Sequence, residues 1–217
     1  VGHALLATHG DHRTRFLREG EAVARIRHPA VVDVSDVGVQ DGIPFLVMEL
    51  LSGENLHDLL RRETTLDERR IANVMIPVVD GLMAAHAAGV VHRDLKPENV
   101  FLARDAKGDL RPKVLDFGIS KVAGGTADLA VTSAGALLGT PYYMSPEQAQ
   151  GASQADAKSD QYAIGVMMYE CATGRLPFFQ DRLLELMNAI ANGVYLLPRV
   201  LKPEVSQELE DIIVRAM

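Results

Sequence analysis

His92-Arg93-Asp94-Leu95-Lys96-Pro97-Glu98-Asn99 is the stretch on which the reading of this chain turns. It follows the apolar Gly89-Val90-Val91 and precedes the equally apolar Val100-Phe101-Leu102. A polar cluster wedged between two apolar runs is a loop held by buried elements, a common seat of functional side chains. Asp94, Lys96 and Asn99 bring different capacities to it. A carboxylate accepts a hydroxyl proton, an ammonium neutralises phosphate, and a carboxamide oxygen serves as a ligand for a hard cation. The plain alternative is a polar turn between two core elements.

The bulk composition narrows the classes. The chain has 217 residues, 47% of them hydrophobic and 24% charged, which suits a globular protein with a sizeable core. A formal charge of −7 argues against a nucleic-acid-binding surface. The single cysteine, Cys171, leaves no internal disulfide and fits a reducing, cytoplasmic setting. No charged-then-apolar leader opens the chain, so no signal peptide is expected. Residues 71–91 approach the length of a bilayer span, but Pro77, Asn73, Asp80 and His86 interrupt them. A buried helix is expected there rather than a membrane span.

Periodicity organises the rest. Residues 13–27 have helical spacing, with Phe16, Glu19, Val23 and Ile26 on one face. A carboxylate on that face calls for a cationic partner. His28-Pro29 ends the segment, because the residue before proline is driven out of helical geometry. Residues 31–37 and 43–49 read as strands around an Asp41-Gly42 turn. Helices are expected over 54–62 and 66–88, the second kinked or broken near 73–77 by Pro77 and closed by Gly89. Residues 100–102 and 113–115 form a hairpin that delivers Asp116-Phe117-Gly118 at its end. Residues 119–138 are rich in Gly, Ala, Ser and Thr and have little periodicity. Ser159-Asp160 is read as the cap of a helix closed by Gly174, apolar all round and therefore buried. Residues 181–192 and 206–217 supply two more helices.

His92–Asn99 matches H-R-D-L-x-x-x-N at every fixed position, and Asp116-Phe117-Gly118 follows at the end of a strand. With Gly139-Thr140-Pro141-Tyr142-Tyr143-Met144-Ser145-Pro146-Glu147, these motifs make the chain resemble protein kinases, most of all bacterial Hanks-type serine/threonine kinases. The resemblance implies an α+β, protein-kinase-like fold: an incomplete small lobe over residues 1–50 and a mostly helical large lobe over 51–217. It implies transfer of the ATP γ-phosphoryl to Ser or Thr of a protein substrate, with Mg²⁺. Asp94 would take the acceptor proton, Lys96 would stabilise the transferring group, and Asn99 and Asp116 would hold the metal. Met48 would back the adenine pocket while the backbone of Glu49 and Leu51 bonds the base. Glu19 would pair with a lysine that grips the ATP phosphates. Thr140 would touch Asp94 and Lys96, and Asp160 would anchor the catalytic loop. Thr132, Ser133 and Thr126 are the phosphorylation candidates, with Arg93 to receive the phosphate. A dimer for trans-autophosphorylation belongs to the same picture.

The match has gaps. Nothing before residue 13 resembles G-x-G-x-x-G, and the first lysine in the chain is Lys96. If residues 1–6 are the lysine-bearing strand, Ala4 stands in the lysine's place; otherwise the chain starts after it. Met217 precedes the arginine that usually pairs with Glu147. A truncated kinase domain with little activity on its own is therefore expected. A pseudokinase or kinase-like scaffold is the alternative. A small-molecule phosphotransferase of the aminoglycoside type fits less well, since that class lacks a segment like 139–147.

Overall fold

The computed structural model describes residues 10–105, 107–117, 141–150 and 156–217. Its first helix, α1 (Gly10–Ala24), buries Phe16 and Val23 against the hairpin of β1 (Val34–Gln40) and β2 (Ile43–Met48). The turn of that hairpin has positive φ at both Asp41 and Gly42, 53° and 80°. Asp-Gly tolerates such a turn, and its twist matches that of the flanking antiparallel strands. The strands begin and end a few residues from their expected limits, and a bulge separates Val34 from Asp36.

A second sheet follows, with strand order β3 (Gly53–Asn55), β4 (Val100–Arg104), β5 (Leu110–Val114), all antiparallel. The short β3 is not expected from the sequence. At Gly53, φ is 149°, and an added Cβ would lie 2.2 Å from the Leu102 carbonyl oxygen. Only glycine permits that approach. The two sheets are tied by backbone bonds from Val32 N–H to Val114 O (3.0 Å) and from Val114 N–H to Ala30 O (2.8 Å). Lys113 adds a side-chain link: its Nζ lies 2.6 Å from Glu49 Oε1, which also accepts the Asp33 N–H at 2.8 Å. Although burial opposes it, bonding to Lys113 and to the Asp33 N–H holds the Glu49 carboxyl below the usual carboxylate range.

Helices α2 (Leu56–Glu63) and α3 (Glu68–Ala87) come next, capped by Asn55 and Asp67. Of the kink or break expected near residues 73–77, the break does not occur: α3 runs on through Pro77. Val74, Met75 and Val78 are buried on either side of it, so packing carries the helix through the missing hydrogen bond. Gly89 adopts φ 76° just past the helix, as its expected closing role requires. Among the described residues no helix is long and apolar enough to cross a membrane.

The core is centred on α5 (Ala157–Thr173), which follows the short α4 (Pro146–Ala149). Val166, Met167, Tyr169 and Cys171 of α5 are fully buried, and the helix packs on α3 and on α8 (Gln207–Ala216). Its N-cap is Asp156, three residues before the expected Ser159, and its C-terminus closes on Gly174 as read. Between α5 and α8 lie α6 (Leu183–Asn192), stopped by Gly193, and α7 (Pro198–Leu201), a single turn invisible to periodicity. Gly53→Ala would force a Cβ into the Leu102 carbonyl, and the expected cost is about 2 kcal/mol or more. A urea-unfolding midpoint unchanged by the substitution would contradict that packing.

Candidate active site

Four elements converge on residues 92–99. The end of α3 supplies His86, the start of α5 supplies Asp160, the residue just past β5 is Leu115, and α4 supplies Gln148. Asp160 is 1% exposed. Its Oδ2 accepts the His92 N–H at 2.8 Å and His86 Nε2 at 2.7 Å, and its Oδ1 accepts the Arg93 N–H at 2.9 Å. A buried carboxylate is tolerated only when its lone pairs are met in this way, and here backbone donors meet most of them. The first turn of α5 adds its own positive dipole end.

His92 is wholly buried. Its Nε2 lies 2.8 Å from the Leu115 carbonyl and its Nδ1 accepts the Asp94 N–H at 3.3 Å, which assigns the neutral tautomer with the proton on Nε2. Burial drives the imidazole pKa down, outweighing the nearby carboxylates of Asp160, Asp94 and Asp116. The ring also packs on Phe117, with centroids 4.9 Å apart. Arg93 has φ 66° and Asp116 has φ 50°, conformations that L-residues rarely adopt. Both lie beside anchored residues, so the surrounding bonds hold them there.

The loop then turns into a short 3₁₀ segment, Pro97–Asn99. Lys96 Nζ sits 3.3 Å from Asp94 Oδ2, and buried Asn99 donates its amide Nδ2 to the Asp94 carbonyl at 2.8 Å. The Leu115 N–H bonds the Asn99 carbonyl at 2.9 Å, which ties the residue before Asp116 to the end of the loop. Asn99 and Asp116 offer oxygen donors of the hard type that Mg²⁺ takes alongside water and phosphate. Among the described residues no group of three or more His, Cys, Asp or Glu side chains forms a full protein cage. A cleft beside the loop is lined by Asp94, Lys96, Pro141, Tyr143, Met144 and Gln148, among others.

Glu147 is half-buried at the second position of α4. Hydroxyls serve it: Ser159 Oγ donates to Oε1 at 2.6 Å. Burial raises its pKa, but bonds from Ser159, from Ser145 and from its own N–H more than offset this and leave it lowered. Ser159 therefore holds Glu147 rather than capping the helix.

The other expected site residues are placed less tightly. Met48 ends β2 and is exposed, Leu51 is half-buried, and the Glu49 carboxylate is occupied by Lys113 and Asp33. Glu19 pairs with Arg15 one turn earlier on α1, at 3.3 Å. Thr140, Thr126, Thr132 and Ser133 lie outside the described residues. The roles of His86, Lys113 and Gln148 are not expected from the sequence. Each acts on a group far along the chain, where periodicity carries no signal; a His at the end of an apolar helix is the one hint available for His86.

Comparison with known proteins places these residues in context. The protein kinase domain model matches residues 6–216. The chain is 42% identical to serine/threonine-protein kinase pkn3 of Myxococcus xanthus, over 99% of this chain and 40% of that protein. It is 41% identical to serine/threonine-protein kinase Pkn1 of the same organism, over 100% of this chain and 31% of that protein. Serine/threonine-protein kinase PknL of Mycobacterium tuberculosis is 44% identical over 80% of this chain and 41% of its own length. The chain thus spans less than half the length of these relatives.

Because His92 is neutral when folded and chargeable when unfolded, the unfolded state binds more protons once pH drops below about 6.5. Its contribution is therefore full above that value and is lost as pH falls toward the lowered folded pKa. His92→Gln should be less stable at pH 7 by about 1–3 kcal/mol. It should also lose less stability than the parent between pH 7 and pH 5.5. Equal slopes in urea midpoints against pH would contradict a neutral, buried His92.

Proposed function

The chain belongs to the protein kinase domain family, and we propose that it is the catalytic portion of a protein serine/threonine kinase. The observation that carries this reading is the Asp94–Lys96 pair at 3.3 Å, set beside Asn99 on a loop that Asp160 grips by its backbone. A small lobe over residues 1–50 and a large lobe over 51–217 would meet at the segment following Met48.

In this reading a Ser or Thr hydroxyl of a protein enters the cleft between Asp94 and residues 141–148. Asp94 accepts its proton as the oxygen attacks the γ-phosphorus of ATP, and the bond to the bridging β,γ-oxygen breaks to leave ADP. Lys96 offsets the negative charge on the transferring phosphoryl group. Asn99 and Asp116 would hold Mg²⁺, which neutralises phosphate charge when bound. Met48 and the backbone of Glu49 and Leu51 would receive the adenine, Glu19 would act through a lysine on the phosphates, and Thr140 would contact Asp94 and Lys96. Thr126, Thr132 and Ser133 would be the sites modified, in trans within a dimer, with Arg93 receiving the phosphate. A cytoplasmic setting agrees with the one cysteine, Cys171, being buried and its thiol pKa pushed up by that burial.

Asp94→Asn removes the base while keeping the side chain's shape. Phosphate transfer from radiolabelled ATP to a basic test protein should fall by about a hundredfold or more, the usual worth of general-base catalysis. ATP binding measured by calorimetry should stay within a few-fold. If the unsubstituted full-length protein binds ATP and transfers nothing, the chain is a kinase-like scaffold instead.

A further inference from the structure

Gln148 stands at the third position of α4, and its amide is used at both ends. Oε1 accepts the Ser145 N–H at 3.0 Å and Ser145 Oγ at 3.2 Å, closing a capping box at the start of that short helix. Nε2 points the other way and donates to the Arg93 carbonyl oxygen at 3.0 Å, across 55 residues of sequence.

That carbonyl belongs to the Arg93–Asp94 peptide. The N–H of the same peptide goes to His92 Nδ1 at 3.3 Å, so the group is held from both sides. The preceding peptide is fixed in turn by the Arg93 N–H on Asp160 Oδ1. Arg93 sits between these two gripped peptides with φ 66°, a conformation that returns to a common region once its restraints go. The plane of the Arg93–Asp94 peptide sets the direction in which the Asp94 side chain leaves the loop. Asp160 and His92 hold the incoming side of this turn from beneath. Gln148 holds its carbonyl from the segment that lines the acceptor cleft.

We propose that Gln148 is a positioning residue for Asp94: its Nε2–H fixes the Arg93–Asp94 peptide and makes the aim of the catalytic carboxylate depend on residues 145–149 being in place. The proposal deepens the kinase reading and rests on it. Capping alone does not account for the residue. A capping box needs only an acceptor at this position, and glutamate serves as well as glutamine. The bond to Arg93 needs a donor, which a carboxylate lacks.

This difference supplies the test. In the full-length protein, Gln148→Glu keeps the cap and sets a carboxylate oxygen against the Arg93 carbonyl, whereas Gln148→Met loses both. For Gln148→Glu the melting temperature and the KM for ATP should stay close to the parent values while kcat drops about tenfold, since small errors of aim are costly in transfer reactions. Gln148→Met should show the same loss of kcat together with a lower melting temperature. Hydrogen exchange over residues 92–99 reads the contact without any need for activity, and it should quicken in Gln148→Glu. Parent-like kcat and exchange in Gln148→Glu would overturn the proposal. So would a loss that appears in Gln148→Met alone, which makes the residue a cap and nothing more. Absence of transfer by the unsubstituted protein would count against the kinase reading, and the exchange result would still decide the role of Gln148 in holding the loop.

Discussion

One buried carboxylate governs the geometry of this molecule. Asp160 rises from the first turn of the central helix and receives the backbone of His92 and Arg93 and the ring of His86. The helix that carries it is apolar on every side and is locked among its neighbours, so the carboxylate has a fixed origin. Charge-assisted bonds to a buried group contribute about 1.5–3 kcal/mol each. Losing one partner of such a group is costly because the other is left buried and unmet. The loop at residues 92–99 thereby inherits the rigidity of the core without being part of it.

That anchorage explains features that look unfavourable in isolation. Arg93 and Asp116 both hold positive φ, which costs on the order of 1–3 kcal/mol apiece. Each is bracketed by bonds on either side: Asp160 and Gln148 at Arg93, the Leu115 and Phe117 contacts with Asn99 and His92 at Asp116. His92 joins the two, since its one ring bonds the strand end that leads to Asp116 and the amide of Asp94. A neutral imidazole fits this role because it donates on one side and accepts on the other, and burial keeps it neutral.

Local chemistry was the part readable from sequence. The polar loop at 92–99, the hairpin that follows it, the Asp41-Gly42 turn and the glycine stops at 89, 174 and 193 all follow from short-range rules, and the structure has them. What escaped was decided by packing or by distant partners. Pro77 is an interior breaker by propensity, yet the buried residues beside it keep α3 continuous. Asp156 and Ser159 are both good caps, and only the neighbour of Ser159 reveals that it serves Glu147 instead. Gly53–Asn55 is too short and polar to show a strand period, and its pairing is imposed by β4. His86, Lys113 and Gln148 act across 74, 64 and 55 residues, respectively, beyond the reach of any periodic pattern.

The anchoring role of Asp160 is measured most directly by amide hydrogen exchange in Asp160→Asn, compared with the parent protein. The amide side chain keeps one acceptor oxygen and turns a donor toward a backbone N–H or the His86 ring. Exchange over residues 91–95 should accelerate by about tenfold or more, as the loss of charged hydrogen bonds requires. The amides of the central helix beyond its first turn should stay protected. Unchanged protection across residues 91–95 would contradict the anchorage, and with it the explanation given for the strained backbone at Arg93 and for the placement of Asp94.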